Sequence, residues 1–466
     1  MKKFKSKWTI LLYGMSGLGV NMMNLIMTSY LLDAVMVEGF NTNVENWTYF
    51  NKTIVVAAVW SVLILIAKIL DGVIDIPFSS WAENVRTRWG KRRPVILVGL
   101  ILTILSFVGY LNPIVIGEGP SIVTTIYLAI MLCSFYAFYT LTMLTYYATF
   151  SEVVDNSKDR MFLSNCKSVF DVVYFIFGYA LIPALVGSQN IRIVAYIFLP
   201  LSLSMLIPIF LLKEKSTAKK DTEGFVKTKP LSVIESLKYS IKNKDFVKWM
   251  LTYCVLQFGI QIFLTGQNVY CSGVAEFDGL RLSILNACSF APVPLTLILY
   301  NKITRKKGFK LGFTFALSMF ILGMITLCLC NPKILPNMTV RTVVGVISAL
   351  LCSFGIGSFF SVEYVIPSTL AAKEMKEKGI SNPGMYFAVQ GLVGGIISGL
   401  AIGILWVNLK DHGLTWMMGI LVAVFCALTI VTLYFLPKEI DDIGKDTSKE
   451  EIVDVEVIDI NSKIEE

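Results

Sequence analysis

Residues 55–94 read VVAAVWSVLILIAKILDGVIDIPFSSWAENVRTRWGKRRP. Between Val55 and Ile76 the only charged residues are Lys68, Asp71 and Asp75. An apolar run of this length crosses the roughly 30 Å of bilayer hydrocarbon as about 20 helical residues. Lipid offers the backbone no hydrogen-bond partner, so the span must be helical; a barrel strand would alternate apolar and polar residues instead. The run ends in a loop holding Arg86, Arg88, Lys91, Arg92 and Arg93, a basic stop of the kind retained in the cytoplasm.

The pattern recurs along the whole chain. Spans are predicted near 8–32, 53–80, 94–112, 122–148, 168–188, 193–212, 247–270, 281–301, 310–330, 341–370, 384–407 and 414–436. Composition agrees: 55% of the 466 residues are hydrophobic and 16% charged, with a mean hydropathy of +0.67. A soluble domain carries about 25% charged residues, and this chain has too few to clothe itself in water. An all-α membrane protein with 12 transmembrane helices follows. The nine cysteines are scattered, with no CxxC pair, and read as small buried apolar residues. The segment Met1–Lys7 leads straight into a span too long for a cleavable signal, so the first helix is expected to be retained.

Loop charge sets the orientation. Lysines 2, 3, 5 and 7, the 81–94 loop, the 213–248 stretch and the 301–310 loop hold most of the basic residues. The alternate loops at 33–52, 113–121 and 189–192 hold Lys52 and Arg192 between them. The positive-inside rule then places both termini in the cytoplasm, in a multi-pass protein of the plasma membrane. The net charge of +8 is accounted for by topology and calls for no nucleic-acid partner. The polar interruption at 213–245 divides an N-terminal six-helix bundle (1–212) from a C-terminal one (246–437). Its apolar positions from Leu231 to Ile241 suggest a short amphipathic helix on the inner face. The 438–466 tail, with eleven acidic residues against four lysines, reads as a solvated extension.

Function should lie where the solvent logic is broken. A charge at mid-membrane costs roughly 2.5–3.5 kcal/mol on insertion scales and so faces a cavity or a partner. Lys68, Asp71 and Asp75 fall on one helix face, and two carboxylates a turn apart can hold a cation or share a proton; a structural ion-pair cluster is the alternative. Asn21, Asn24, Lys167, Gln257, Gln261, Gln390 and Glu363 also lie inside spans, and each could equally make an interhelical hydrogen bond. Gly395, Gly399 and Gly403 form a small-residue stripe suited to close helix packing. The single histidine, His412, removes His-based metal sites and triads, and no Walker loop is present, so no enzyme and no ATP hydrolysis is expected.

Asp71-Gly-Val-Ile-Asp75-Ile-Pro77, followed by Arg86-Thr-Arg-Trp-Gly90-Lys-Arg-Arg-Pro94, resembles the signature of the glycoside–pentoside–hexuronide:cation symporters of the major facilitator superfamily. Tyr13-Gly14, the segment from Tyr139 to Lys167, Gly355-Ile-Gly357 and Tyr386 to Gln390 add weaker matches in order. The resemblance implies the major facilitator fold, with two six-helix bundles alternating access to a sugar or glycoside. It implies Asp71 and Asp75 as cation ligands for sodium or a proton, Thr140 as a further oxygen donor, and Tyr147 as a sugar-stacking aromatic. It also marks departures: Asn21 and Met143 stand where acidic residues are usual, Ile74 precedes the second aspartate, and the lysine of span eleven falls near Gly395. The depleted oxygen shell shifts the balance away from sodium, toward protons or lost coupling, and the missing charged clamp favours a less polar or larger cargo.

The expected activity is therefore cation-coupled secondary transport of a carbohydrate, with no bound cofactor beyond the coupling ion. Two alternatives stand beside it: the same fold moving a peptide, natural product or lipid, and a membrane sensor that transports nothing.

Overall fold

The computed structural model describes residue 4 and residues 6–153, 157–214, 242–378 and 383–442. The amphipathic stretch from Leu231 and most of the acidic tail lie outside them. Twelve helices are long and apolar enough to cross a membrane, and no strand occurs among the described residues. We number them by span. The N-terminal half contains α1 (Lys7–Leu31), α2 (Ala57–Asn84), α3 (Arg92–Leu111), α4 (Ile122–Ala148), α5 and α6 (Ile191–Leu211). Helix α5 comprises Ser157–Ile176 and its continuations Phe177–Leu181 and Ile182–Val186. The C-terminal half contains α7 (Lys244–Gly273), α8 (Gly279–Lys307), α9 (Phe309–Cys328), α10 (Met338–Lys378), α11 and α12 (Thr415–Leu433). Helix α11 comprises Pro383–Gly399, Leu400–Trp406 and Val407–Asp411.

Lipid-facing stripes follow from helical periodicity. Val98, Ile101 and Leu105 on α3, Val343, Ile347 and Leu350 on α10, and Ile420, Val424, Leu428 and Val431 on α12 are all exposed. Their spacing of three and four residues puts each set on one face, where a water-soluble helix would be polar. The opposite faces build a core in which Trp60, Trp249, Trp406 and Tyr110 are wholly buried. Proline shapes the exceptions. Pro200 sits where α6 tightens into a 3₁₀ turn over Leu199–Met205, because its ring removes one backbone donor.

The two halves repeat a detail at the start of their third helices. Gly90 and Gly308 both adopt left-handed φ, at 96° and 95°. A carboxylate arriving from the far end of the same half caps the helix that follows each glycine. Glu214, beyond α6, accepts from the backbone amides of Arg92 at 3.0 Å and Arg93 at 3.3 Å. Asp441, beyond α12, accepts from the amide of Lys310 at 2.9 Å. Each glycine lies against its carboxylate, so a Cβ there would collide as well as strain the backbone. The basic loops predicted after spans two and eight are thus each fastened to the last helix of their own half.

The halves meet most extensively at one end. Among the described residues, the hydrogen bonds that join them all lie there. Asn41 Nδ2 donates to the Gly273 carbonyl at 2.5 Å, Thr42 Oγ1 bonds Ser272 Oγ at 3.0 Å, and Asn268 Nδ2 donates to the Ser29 carbonyl at 3.0 Å. Lys410 Nζ reaches Asp33 Oδ1 at 3.2 Å and the Asp33 carbonyl at 2.7 Å, while Trp406 Nε1 donates to the same carboxylate. Tyr179 stacks on Phe290 with ring centroids 4.2 Å apart. Wide π-type turns interrupt α1, α5 and α11 at this end (Met27–Leu31, Phe177–Leu181 and Leu400–Trp406), and they aim Ser29, Tyr30, Tyr179 and Trp406 into the seam.

From there the seam runs inward between α2 and α11. The predicted glycine stripe is what makes it close. A Cβ at Gly403 would stand 2.6 Å from the Ser61 carbonyl oxygen, and one at Gly395 would stand 2.5 Å from that of Lys68. Gly72 of α2 answers from the other side, against Gly391 and Leu392.

Candidate functional site

Gly72 and Gly391 mark the level at which two polar clusters face the seam. On the N-terminal side, Thr140 Oγ1 of α4 donates to Asp71 Oδ1 of α2 at 3.0 Å. Lys68, one turn earlier, is buried with its Nζ 4.0 Å from the centroid of the Tyr136 ring, and its charge acts on Asp71. The three therefore form one unit: a carboxylate, its built-in counter-charge and a hydroxyl donor. Asp75 continues the face in the backbone of α2; its side chain lies outside the described residues.

Farther along α4, Tyr139 OH donates to Asn21 Oδ1 of α1 at 3.0 Å. Tyr147 is 36% exposed, with Lys167 Nζ 5.2 Å from its ring centroid, and Lys167 pairs with Asp171 at 2.5 Å. The Tyr147 ring is thus partly accessible and edged by an ion pair. Met143 is buried in an apolar cluster with Tyr13, Val20 and Tyr146, against Gly17. Asn24 is half-buried, and its carbonyl accepts from Thr28 Oγ1 at 2.5 Å.

The C-terminal cluster is a continuous chain of hydrogen bonds. Trp249 Nε1 donates to Gln390 Oε1 at 2.8 Å, and Gln390 Nε2 donates to the Glu363 carbonyl at 2.9 Å. Gln257 Nε2 donates to Glu363 Oε1 at 2.8 Å and to Tyr253 OH at 2.9 Å, and Gln261 Nε2 reaches Gln257 Oε1 at 3.4 Å. Helices α7, α10 and α11 are thereby tied together near the midpoint of α7.

The predicted polar residues thus divide. Asp71, Thr140 and Lys68 come together; Gln257, Gln261 and Gln390 come together; Tyr147 joins Lys167. Asn21 is bound instead to Tyr139, and Met143 packs in the core. Glu363, read from the sequence as one more intramembrane polar residue, is the hub of the C-terminal chain, and Trp249, Tyr253 and Tyr136 carry no mark in the sequence analysis. A signal was present: Trp249, Tyr253, Gln257 and Gln261 recur every four residues, and Tyr136, Thr140, Met143 and Tyr147 recur every three or four, so each set marks one helix face.

The sequence matches the family described as MFS/sugar transport protein over residues 12–442. The chain belongs to this family. It is a multi-pass membrane transporter of the major facilitator type and not an enzyme. Solved structures share the fold at low identity. The nucleoside transporter NupG aligns with a TM-score of 0.62 at 15% identity, covering 92% of this chain and 98% of NupG. A D-xylose-proton symporter gives 0.62 at 14%, covering 94% and 98%. A POT family transporter in complex with 5-aminolevulinic acid gives 0.64 at 14%, covering 93% and 96%. No curated protein matches the sequence.

Proposed function

We propose that this transporter carries a sugar or glycoside by symport with a cation, in the manner of the glycoside–pentoside–hexuronide group. The observation that supports this most is the Asp71–Thr140–Lys68 unit, set in the span whose aspartates and following basic loop carry the group's signature. Asp71 and Asp75 would take the coupling ion, a proton in preference to sodium, since the face offers few further oxygens. Tyr147, with Lys167 and Asp171, would receive the cargo. Gln257, Gln261 and Gln390 would line the opposite wall. Asn21 and Met143, in place of acidic residues, leave the N-terminal side less charged, which favours a less polar or larger cargo.

With the basic loops in the cytoplasm, the end where the halves are joined is the outer one. The described conformation is then closed to the outside. Alternating access would proceed by parting the Asp33–Lys410 end as the opposite end closes.

Uptake into proteoliposomes, screened across sugars under imposed proton and sodium gradients, tests the proposal. Asp75→Asn should abolish gradient-driven uptake while the protein still inserts and folds. Uptake by that variant at the parent level would remove the coupling role, and absence of flux for every sugar would remove the cargo class.

A further inference from the structure

The acids embedded in the described bundle differ in one respect. Asp33 is paired with Lys410 and Asp171 with Lys167, and Asp71 has the Lys68 charge acting on it from one turn earlier on the same helix face, without a direct ion pair. Each carries its own cation. Glu363 forms no ion pair with any described residue. Its partners are neutral: the Gln257 amide on Oε1 and, at its backbone carbonyl, the Gln390 amide. The Gln390 oxygen is taken by the Trp249 indole, which fixes that amide with its nitrogen toward α10. Glu363 is half-buried, and its Oε2 takes no hydrogen bond yet is not among the enclosed side-chain oxygens. That oxygen is open to the space beside the chain.

The charged groups on the helices packed against α10 have other partners or places than Glu363. On α7, Lys244, Asp245 and Lys248 lie within its first five residues, and the titratable group facing Glu363 is the Tyr253 hydroxyl, reached through Gln257. On α8, Arg281 is bound to Asp278, Lys302 is exposed at the surface, and Arg305, Lys306 and Lys307 occupy the last turn. Lys310 of α9 is held at the Leu436 carbonyl, and Lys410 of α11 is committed to Asp33. On α10 itself, Arg341 pairs with Glu276.

A carboxylate in low dielectric with no fixed counter-ion is too costly to stay charged, and must either take a proton or be met by a mobile cation. A lysine-paired acid is already neutral as a unit. We propose that Glu363 is a proton-binding site of the C-terminal half, loading and releasing H⁺ through its open Oε2, separate from the aspartates of α2. Gln257 suits both states, because its amide donates to the same oxygen whether or not the other is protonated. The carboxylate gains one proton from water and loses it again, with no other bond changed. This deepens the symport reading, since it supplies a coupling group on the half that lacks the signature, and it rests on that reading only for its role in transport.

Infrared difference spectroscopy of the purified full chain in nanodiscs tests it with bulk pH as the only probe. Subtracting the Glu363→Gln spectrum from the parent should isolate one carboxylic-acid carbonyl band that appears on acidification and vanishes on alkalinisation. Glu363→Asp should keep a titrating band at a shifted position, which guards against a fold lost in the glutamine variant. A band that never appears, or one that persists at every pH, overturns the proposal. So does a carboxylate signal that responds at constant pH to sodium chloride or methylammonium chloride, since Glu363 would then hold a metal cation or the ammonium group of a cargo. No sugar is needed, so a failed uptake screen leaves this result standing, and a failed titration leaves the α2 site untouched.

Discussion

Replacing Lys410 by methionine isolates what holds the closed end together. Its Nζ is fully buried, and it donates to the Asp33 carboxylate, the Asp33 carbonyl and, at 3.3 Å, the Met36 carbonyl. The Phe40 ring lies 4.7 Å from the same ammonium. Methionine keeps the volume and removes the charge, leaving Asp33 buried with only the Trp406 indole. Breaking a buried pair in this way costs about 3–5 kcal/mol. That cost arises only while the halves are joined, because parting them returns Asp33 to water. It therefore shifts the closed-to-open ratio, by roughly two to three and a half orders of magnitude at about 1.4 kcal/mol per decade. Distances between spin labels at Glu45 and Asp411, in a chain freed of its native cysteines, read that ratio directly. The parent should give a single short population and Lys410→Met a dominant long one.

Acidification should reverse the loss of Lys410. Burial holds the Asp33 carboxyl above its ordinary range, and Lys410 is the main influence drawing it back down. Without Lys410 the closed state binds the Asp33 proton more tightly than the open state does, so falling pH should restore the short distance. Asp33→Asn added to Lys410→Met should restore it at neutral pH. An unchanged distance distribution in Lys410→Met would refute the assignment of this pair as the fastening between the halves.

Other perturbations follow from the same geometry. Thr140→Val removes the hydroxyl on Asp71; at about 1.5–3 kcal/mol for a hydrogen bond to a charged group, the cation concentration giving half-maximal uptake should move by about tenfold or more. Gly399→Leu forces a side chain into Leu65, whose Cδ1 would lie 2.7 Å from the new Cβ; thermal unfolding in detergent should show a loss of about 1–3 kcal/mol, whereas Gly119→Leu, with open space around it and no positive φ, should show none. Glu214→Ala and Asp441→Ala each remove one helix cap and should cost about 1 kcal/mol apiece, equal within error if the two halves repeat the same joint.

The fold was readable because lipid imposes it. Continuous apolar runs, basic loops and a polar break are one-dimensional properties, and the helices fall where those runs fall. The ends proved less legible. Helix α10 continues to Lys378 and α2 to Asn84, past Pro367 and Pro77, because a kinked helix can run on into a polar loop where composition no longer marks it. The site was legible in proportion to how local it was. Lys68 and Asp71 share one helix face, so spacing alone linked them. Thr140 is on another helix, and only the family resemblance joined it to them. Glu363 is a lone acid in its span, but its importance depends on Gln257 and Gln390 arriving from α7 and α11, and on no lysine among the described residues pairing with it. That absence is a property of packing and has no counterpart in the local sequence. Asn21 and Tyr139 illustrate the converse: two residues read separately satisfy each other.

The glycine seam between α2 and α11 has a mechanical consequence. Side chains of ordinary size form ridges, and ridges seated in grooves hold two helices at one of a few angles. Gly391, Gly395 and Gly403 bring backbone against backbone instead, and at Gly399 the Leu65 side chain fills the gap as a low ridge. Such a surface behaves more as a plain bearing than as a gear: one helix can roll over the other with few teeth to unmesh. The fastenings at Asp33 and Lys410 then decide where the bearing rests, while the low-ridged surface between Ser61 and Gly72 decides how fast it turns.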